Sequence, residues 1–98
     1  MIEAHRFMSA ALAEILRNAP MSAEKISFAW RAAVGTTMDR GTSVVLENGV
    51  LRVRTESVAW RREVERSEAL IRTRLDALLG RGVVRAIEVA PDPARATR

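Results

Sequence analysis

Side chains able to act as acid, base, nucleophile or metal ligand are scarce in this sequence of 98 residues. It has no cysteine and no tyrosine, and its one histidine, His5, falls on the first turn of an N-terminal helical pattern, where a histidine is ordinarily a solvated surface residue. No P-loop, G-x-G-x-x-G or H-E-x-x-H stretch occurs, and Gly80-Arg81-Gly82 is too short to be more than a helix-to-strand turn. The carboxylates of Glu63, Glu65, Glu68 and Asp76 are dispersed among arginines. Arg61 with Glu65, Glu68 with Arg72, and Arg72 with Asp76 stand at i, i+4, the spacing of a solvated ion-pair face. The inventory therefore argues against an enzyme, and no cofactor or metal site is expected.

The basic residues are the remaining chemistry. Sixteen Lys and Arg face twelve Asp and Glu, for a net charge of +4, and all of the sixteen except Lys25 are arginine. Arginine's planar fork suits phosphate, while a GC-rich coding sequence gives the same bias, and composition leaves both explanations open. Two pairs have a useful spacing. Arg62 and Arg66 lie one helical turn apart on the side opposite the apolar stripe of their helix, so they repel each other and could meet two phosphates. Arg52 and Arg54 alternate out of a strand, roughly 7 Å apart at about 3.3 Å per residue. Such contacts give salt-dependent affinity without sequence reading. The plainer alternative is that these arginines keep the outer face of a small sheet soluble.

The elements that must position these residues can be read from periodicity. Residues 3 to 18 repeat Phe7, Met8, Ala11, Leu12, Ile15 and Leu16 at helical spacing, and the helix ends before Pro20. Ser22 is an N-cap for a second helix, with Glu24 in its first turn and Ile26, Trp30, Ala33 and Val34 as its buried stripe. That helix ends at Gly35, or runs on to Gly41. Asn48-Gly49 then reads as a two-residue hairpin turn, which sets Val44, Leu46, Leu51 and Val53 on one face and Ser43, Val45, Arg52 and Arg54 on the other. A one-residue slip would drive both arginines inward, so the register is well specified. Ser57 caps a third helix running to about Leu79, with Trp60, Val64, Ser67, Ile71, Leu75 and Leu78 facing the core. A last strand covers residues 83 to 90, with Ile87 and Val89 inward. The expected fold is a single α+β domain over residues 1 to 90, in the order α-α-β-β-α-β. Its three-stranded sheet carries helices on one face, and residues 91 to 98 form a short basic tail.

Hydrophobic residues at 48% and charged residues at 29% fit a globular domain with a modest core. No apolar run approaches the ~18 residues that span a bilayer, the N-terminus does not read as a signal peptide, and the absence of cysteine suits a reducing compartment; a cytoplasmic location is expected. The aromatic supply is Phe7, Phe28, Trp30 and Trp60. Both tryptophans fall on apolar stripes and are expected in the core. Phe28 points away from its stripe and is left between packing on helix one and facing a partner.

Trp30-Arg-Ala-Ala-Val34-Gly35, then Asn48-Gly49-Val50-Leu51-Arg-Val53, then Ser57-Val-Ala59-Trp60, a long helix with Leu75, Leu78 and Leu79, and a closing Val84-x-x-Ile87-x-Val89 together resemble the DciA-like proteins over roughly residues 8 to 90. No one of these motifs is specific; the ordered set at these spacings carries the resemblance. It implies a KH-like domain that helps a DnaB-type replicative helicase onto DNA, without an ATPase of its own. It also implies that Trp30, Gly35, Gly49, Leu51 and Trp60 are mainly fold determinants. Two departures stand out: there is no GxxG loop of the kind KH modules use to grip nucleotides, and the tail is shorter than the basic extensions of many family members. The expectation is a DNA-replication accessory protein that contacts DNA through Arg52, Arg54, Arg62 and Arg66 and binds the helicase elsewhere. A protein-interaction or self-assembly module, a homo-oligomer built on the exposed sheet edge and Phe28, is the alternative.

Overall fold

Serines open the three main helical segments. The side chains of Ser9, Ser22 and Ser57 accept hydrogen bonds from the backbone N–H groups of Leu12, Lys25 and Trp60 at 3.2, 3.0 and 3.1 Å, each satisfying a donor that the first helical turn leaves unpaired. In the computed structural model, which describes residues 9–90, these caps begin α1 (Ala10–Asn18), α2 (Ala23–Val34) and α4 (Val58–Arg66). The other elements are α3 (Thr36–Arg40), β1 (Thr42–Glu47), β2 (Val50–Thr55), α5 (Glu68–Leu79) and β3 (Ala86–Ala90). The result is an α+β domain with a three-stranded mixed sheet in the order β1-β2-β3.

The second helix uses both of the endings its sequence offers. Gly35, at φ +92°, stops α2, and the chain re-enters a short helix that closes before Gly41. Trp30, 1% exposed, fixes this corner. Its indole N–H donates to the Thr42 hydroxyl at 2.8 Å, and that hydroxyl donates to the Met38 carbonyl at 2.8 Å. A buried ring thereby ties α2, α3 and β1 together with its one polar atom satisfied.

The hairpin has the expected register: Ser43 faces Arg54, Val44 faces Val53, Val45 faces Arg52 and Leu46 faces Leu51. The turn conformation supports it, with Asn48 at φ 52° and Gly49 at φ 81°, the two positive values a type I′ turn requires. β3 pairs parallel to β2, which places Arg52 beside Glu88 and Arg54 beside Ala90. Leu51 and Val53 are buried against Trp30 of α2, Val64 of α4 and Ile71, Leu75 and Leu78 of α5. Helices therefore cover one face of the sheet, and Arg52 and Arg54 point from the other.

Four expectations change. The long helix from Ser57 to Leu79 is broken at Ser67, whose φ of −96° and ψ of 10° end α4 and start α5. One straight rod of this length would carry its stripe past the core; the break lets Val64 pack against the sheet while α5 packs on α1 and α2. In α1 the inward residues are Ala13 and Leu16, and Leu12 and Ile15 are 57% and 65% exposed. A small residue at 13 admits close approach to α5, so the face through Ala13 wins over the larger apolar side chains. The remainder of the first apolar repeat, with Phe7 and Met8, lies outside the described residues, as do His5 and the tail. Trp60 is half-buried, not a core residue, and its ring lies over Gly41, where any β-carbon would collide with it. The last strand also starts later than residue 83. The backbone N–H groups of Arg85 and Ala86 both donate to the Gly49 carbonyl, folding Val83 to Arg85 over the hairpin turn and burying Val84.

Thr42→Val keeps the side-chain volume but leaves the Trp30 N–H without an acceptor. It should destabilise the domain by about 1–3 kcal/mol, read as a lower urea midpoint by tryptophan fluorescence. An unchanged midpoint would remove this junction from the account of the fold.

Candidate nucleic-acid interface

Strand alternation decides where the β2 arginines go. Leu51, Val53 and Thr55 are buried, so Arg52 and Arg54 must stand on the open face. Their surroundings differ. The Arg52 guanidinium lies 3.1 Å from Glu47 on β1 and 3.2 Å from Glu88 on β3. All three side chains are more than half exposed, so these pairs add little stability, but two carboxylates around one guanidinium reverse the sign of the local charge. Arg54 stands between Ser43 and Ala90, both small and neutral. No acidic side chain is within ion-pair distance of Arg54 among the described residues, and it lines a depression of the sheet face together with Ser43, Val45, Arg52, Ala90 and, at its far side, Glu47.

The second pair sits on α4. Arg62 and Arg66 are exposed on the side of the helix opposite the buried Val64. Arg66 has Glu63 at 3.7 Å with its own side chain 75% exposed, and the Glu63 carboxylate also accepts from the Ser67 hydroxyl at 3.4 Å. Arg62 has no ion pair among the described residues. Of the i, i+4 pairs expected, Arg61 with Glu65 forms at 3.4 Å; the Glu68–Arg72 and Arg72–Asp76 pairs are not present among the described residues. The four predicted site residues thus form two pairs, one leaving the open face of the sheet and one leaving the exposed side of α4.

Several basic residues have tasks that sequence reasoning did not assign. Lys25, 6% exposed, donates from Nζ to the carbonyls of Arg17 at 3.0 Å and Ala19 at 2.6 Å. These groups end α1, where a cation meets the negative end of the helix dipole. Arg17 donates to Ala77 O, near the end of α5, at 2.8 Å, and Arg74 donates to Ala33 O, near the end of α2, at 2.8 Å. Arg85 donates to Asn48 O in the hairpin turn at 2.5 Å. Part of the arginine surplus is therefore spent on bracing element ends. The partners of the three arginines lie 60, 41 and 37 residues away in the chain, so no local pattern announces them. Among the described residues no cluster of His, Cys, Asp or Glu could hold a metal ion, and no helix is long and apolar enough to cross a membrane.

A protein-family model described as DnaC/DnaI antecedent, DciA, matches residues 7–89. A UPF0232 protein of Mycolicibacterium smegmatis is 34% identical over 61 residues, a stretch covering 61% of this chain and 31% of that protein. The chain thus spans about a third of the relative it matches. No solved structure matches.

Replacing Glu47 and Glu88 together by glutamine tests how far these carboxylates mask Arg52. Stability should change by less than about 1 kcal/mol, since the pairs are exposed. Affinity for a short DNA oligomer at low salt should rise several-fold as the face turns positive, measured by fluorescence anisotropy. Equal affinity would mean that the open sheet face does not contact DNA.

Proposed function

The chain belongs to the DciA family, which links it to DNA replication at the step of helicase loading, and on that premise we propose that it is a non-enzymatic accessory protein that binds DNA and the replicative DnaB-type helicase and assists loading. The family match, which runs through nearly the whole of the described domain, carries this reading. The arrangement of the chain supports it in two ways. The unit β2-α4-α5-β3, with β2 and β3 parallel around a helix pair, suits a KH-like module. Exposed guanidinium groups on two layers suit contact with phosphates along a flexible or wrapped strand.

Within the proposed site, Arg54 and Arg62 are the stronger phosphate ligands, because neither makes an ion pair among the described residues. Arg66 shares Glu63 loosely, and Arg52 is held between two acids. No base-edge readout is built into this set, so affinity should be independent of sequence and fall steeply with salt. The helicase would meet a different surface.

A second reading, self-association without nucleic acid, has one observation in its favour. β1 is an edge strand reading TSVVLE, without the lysine, proline or bulge that ordinarily blunts an edge. An apolar groove lined by Met21, Ile26, Val44, Val45 and Leu46 runs beside it. Light scattering separates the two: a concentration-dependent dimer with no DNA binding at low salt would replace the first reading by this one.

Arg54→Glu and the double change Arg62→Glu with Arg66→Glu, made separately, should each weaken DNA binding several-fold and flatten its salt dependence. If neither does so in an anisotropy titration, the arginine assignment is wrong. Capture of the host's DnaB-type helicase in a pull-down should survive all three substitutions, and failure of the wild-type chain to capture it would sink the helicase half of the proposal.

A further inference from the structure

Phe28 is 52% exposed on α2, on the side away from the buried Ala29, Trp30 and Ala33. An aromatic ring left half in water on a helix whose other face is fully packed contributes little to the core. Its neighbours are informative. Phe28, Arg31 and Ala32 share one helical face at i, i+3 and i+4, and with Val34, Gly35 and Thr36 they line an open groove where α2 gives way to α3. Gly35 leaves this ground clear, since nothing lies within 4 Å of where its β-carbon would be. Arg74 reaches in from α5 and is held at the wall by its hydrogen bond to the Ala33 carbonyl.

Three properties of this groove select its ligand. None of its lining residues is acidic, unlike the sheet face around Arg52. Its one large apolar group is a flat ring, and the other uncharged lining residues are small or short. A protein-docking surface would instead gather several bulky anchors around a buried centre. An exposed ring flanked by guanidinium groups is the arrangement on which unpaired bases stack while their phosphates are held by arginine. Duplex bases are already stacked within the helix and offer no free face to it.

We infer that the Phe28–Arg31 groove is a stacking subsite for an unpaired base of single-stranded nucleic acid, Phe28 taking the base and Arg31 the adjoining phosphate. This rests on the nucleic-acid reading above and adds to it a preference for single strands that the arginines on β2 and α4 do not supply.

The test compares an oligo-dT strand, an abasic strand of equal length and charge, and a duplex, each titrated against the full chain by anisotropy at fixed salt. Oligo-dT should bind more tightly than either of the others. Phe28→Ala and Phe28→Leu should each weaken oligo-dT binding about tenfold and leave the abasic strand unaffected, whereas Phe28→Trp should restore it. The leucine variant keeps the apolar surface and removes the ring, so it separates stacking from general stickiness. Arg31→Glu should weaken both single strands. Because Phe28 is half exposed and alanine favours helix, these variants keep the fold. Oligo-dT binding that is unchanged in Phe28→Ala, or no tighter than abasic binding in the wild type, would overturn the inference and leave the phosphate-binding proposal standing. No binding to any of the three ligands at low salt would overturn both.

Discussion

A buried indole with one polar atom to satisfy sets the frame of this domain. Trp30 cannot be placed in the core unless its N–H finds an acceptor, and the acceptor it finds, the Thr42 hydroxyl, is the first residue of β1. The same hydroxyl donates to Met38, so the end of α2, the short α3 and the start of the sheet are fixed with respect to one another. The Asn48-Gly49 turn and strand alternation set the hairpin register, which puts Leu51 and Val53 under the helices and Arg52 and Arg54 on the far side. The buried indole therefore anchors the open end of the hairpin, where Thr42 pairs with Thr55, to the helices that cover the sheet.

The arginines divide by environment more than by number. Those that meet the carbonyl ends of helices or the hairpin turn, Arg17, Arg74 and Arg85, hold elements together. Arg52 is held by carboxylates from both neighbouring strands, while Arg54 and Arg62 extend into solvent without an ion pair among the described residues. A net charge of +4 is therefore a poor measure of what a polyanion would meet. Burial, dipole ends and strand neighbours decide which positive charges are available, and the groove beside Phe28 gains importance because no acid lines it.

Much of the fold was legible because it rests on strong local signals. Serine caps, Asn-Gly at the turn and strict alternation in residues 43 to 54 leave few alternatives, and the hairpin register came out residue for residue. The candidate site was less so. Arg52 stands with Arg54 on the open face but is not a free cation: Glu47, two residues along β1 from its partner Val45, was within reach of the hairpin pattern, whereas Glu88 becomes its neighbour only through the parallel register of a strand about 35 residues further on. The apolar repeat in α1 allowed two inward faces, and the small Ala13 was chosen by the closeness of α5, which no residue within α1 encodes. Ser67 gave no local sign of interrupting a helix, because the break answers to where the core ends.

By itself, the sequence determined the α+β class, the helix starts at Ser22 and Ser57, the hairpin and its two faces, the poverty of catalytic groups and the likeness to the DciA family. Each of these depends on residue type and short-range spacing, which backbone geometry reads directly. Tertiary structure alone decided which cations are neutralised or tied to carbonyls, that the two arginine pairs leave from different layers, and that Phe28 faces an open groove instead of helix one. Those outcomes depend on contacts between residues tens of positions apart, and their energies exist only once the sheet and helices have closed on a common core.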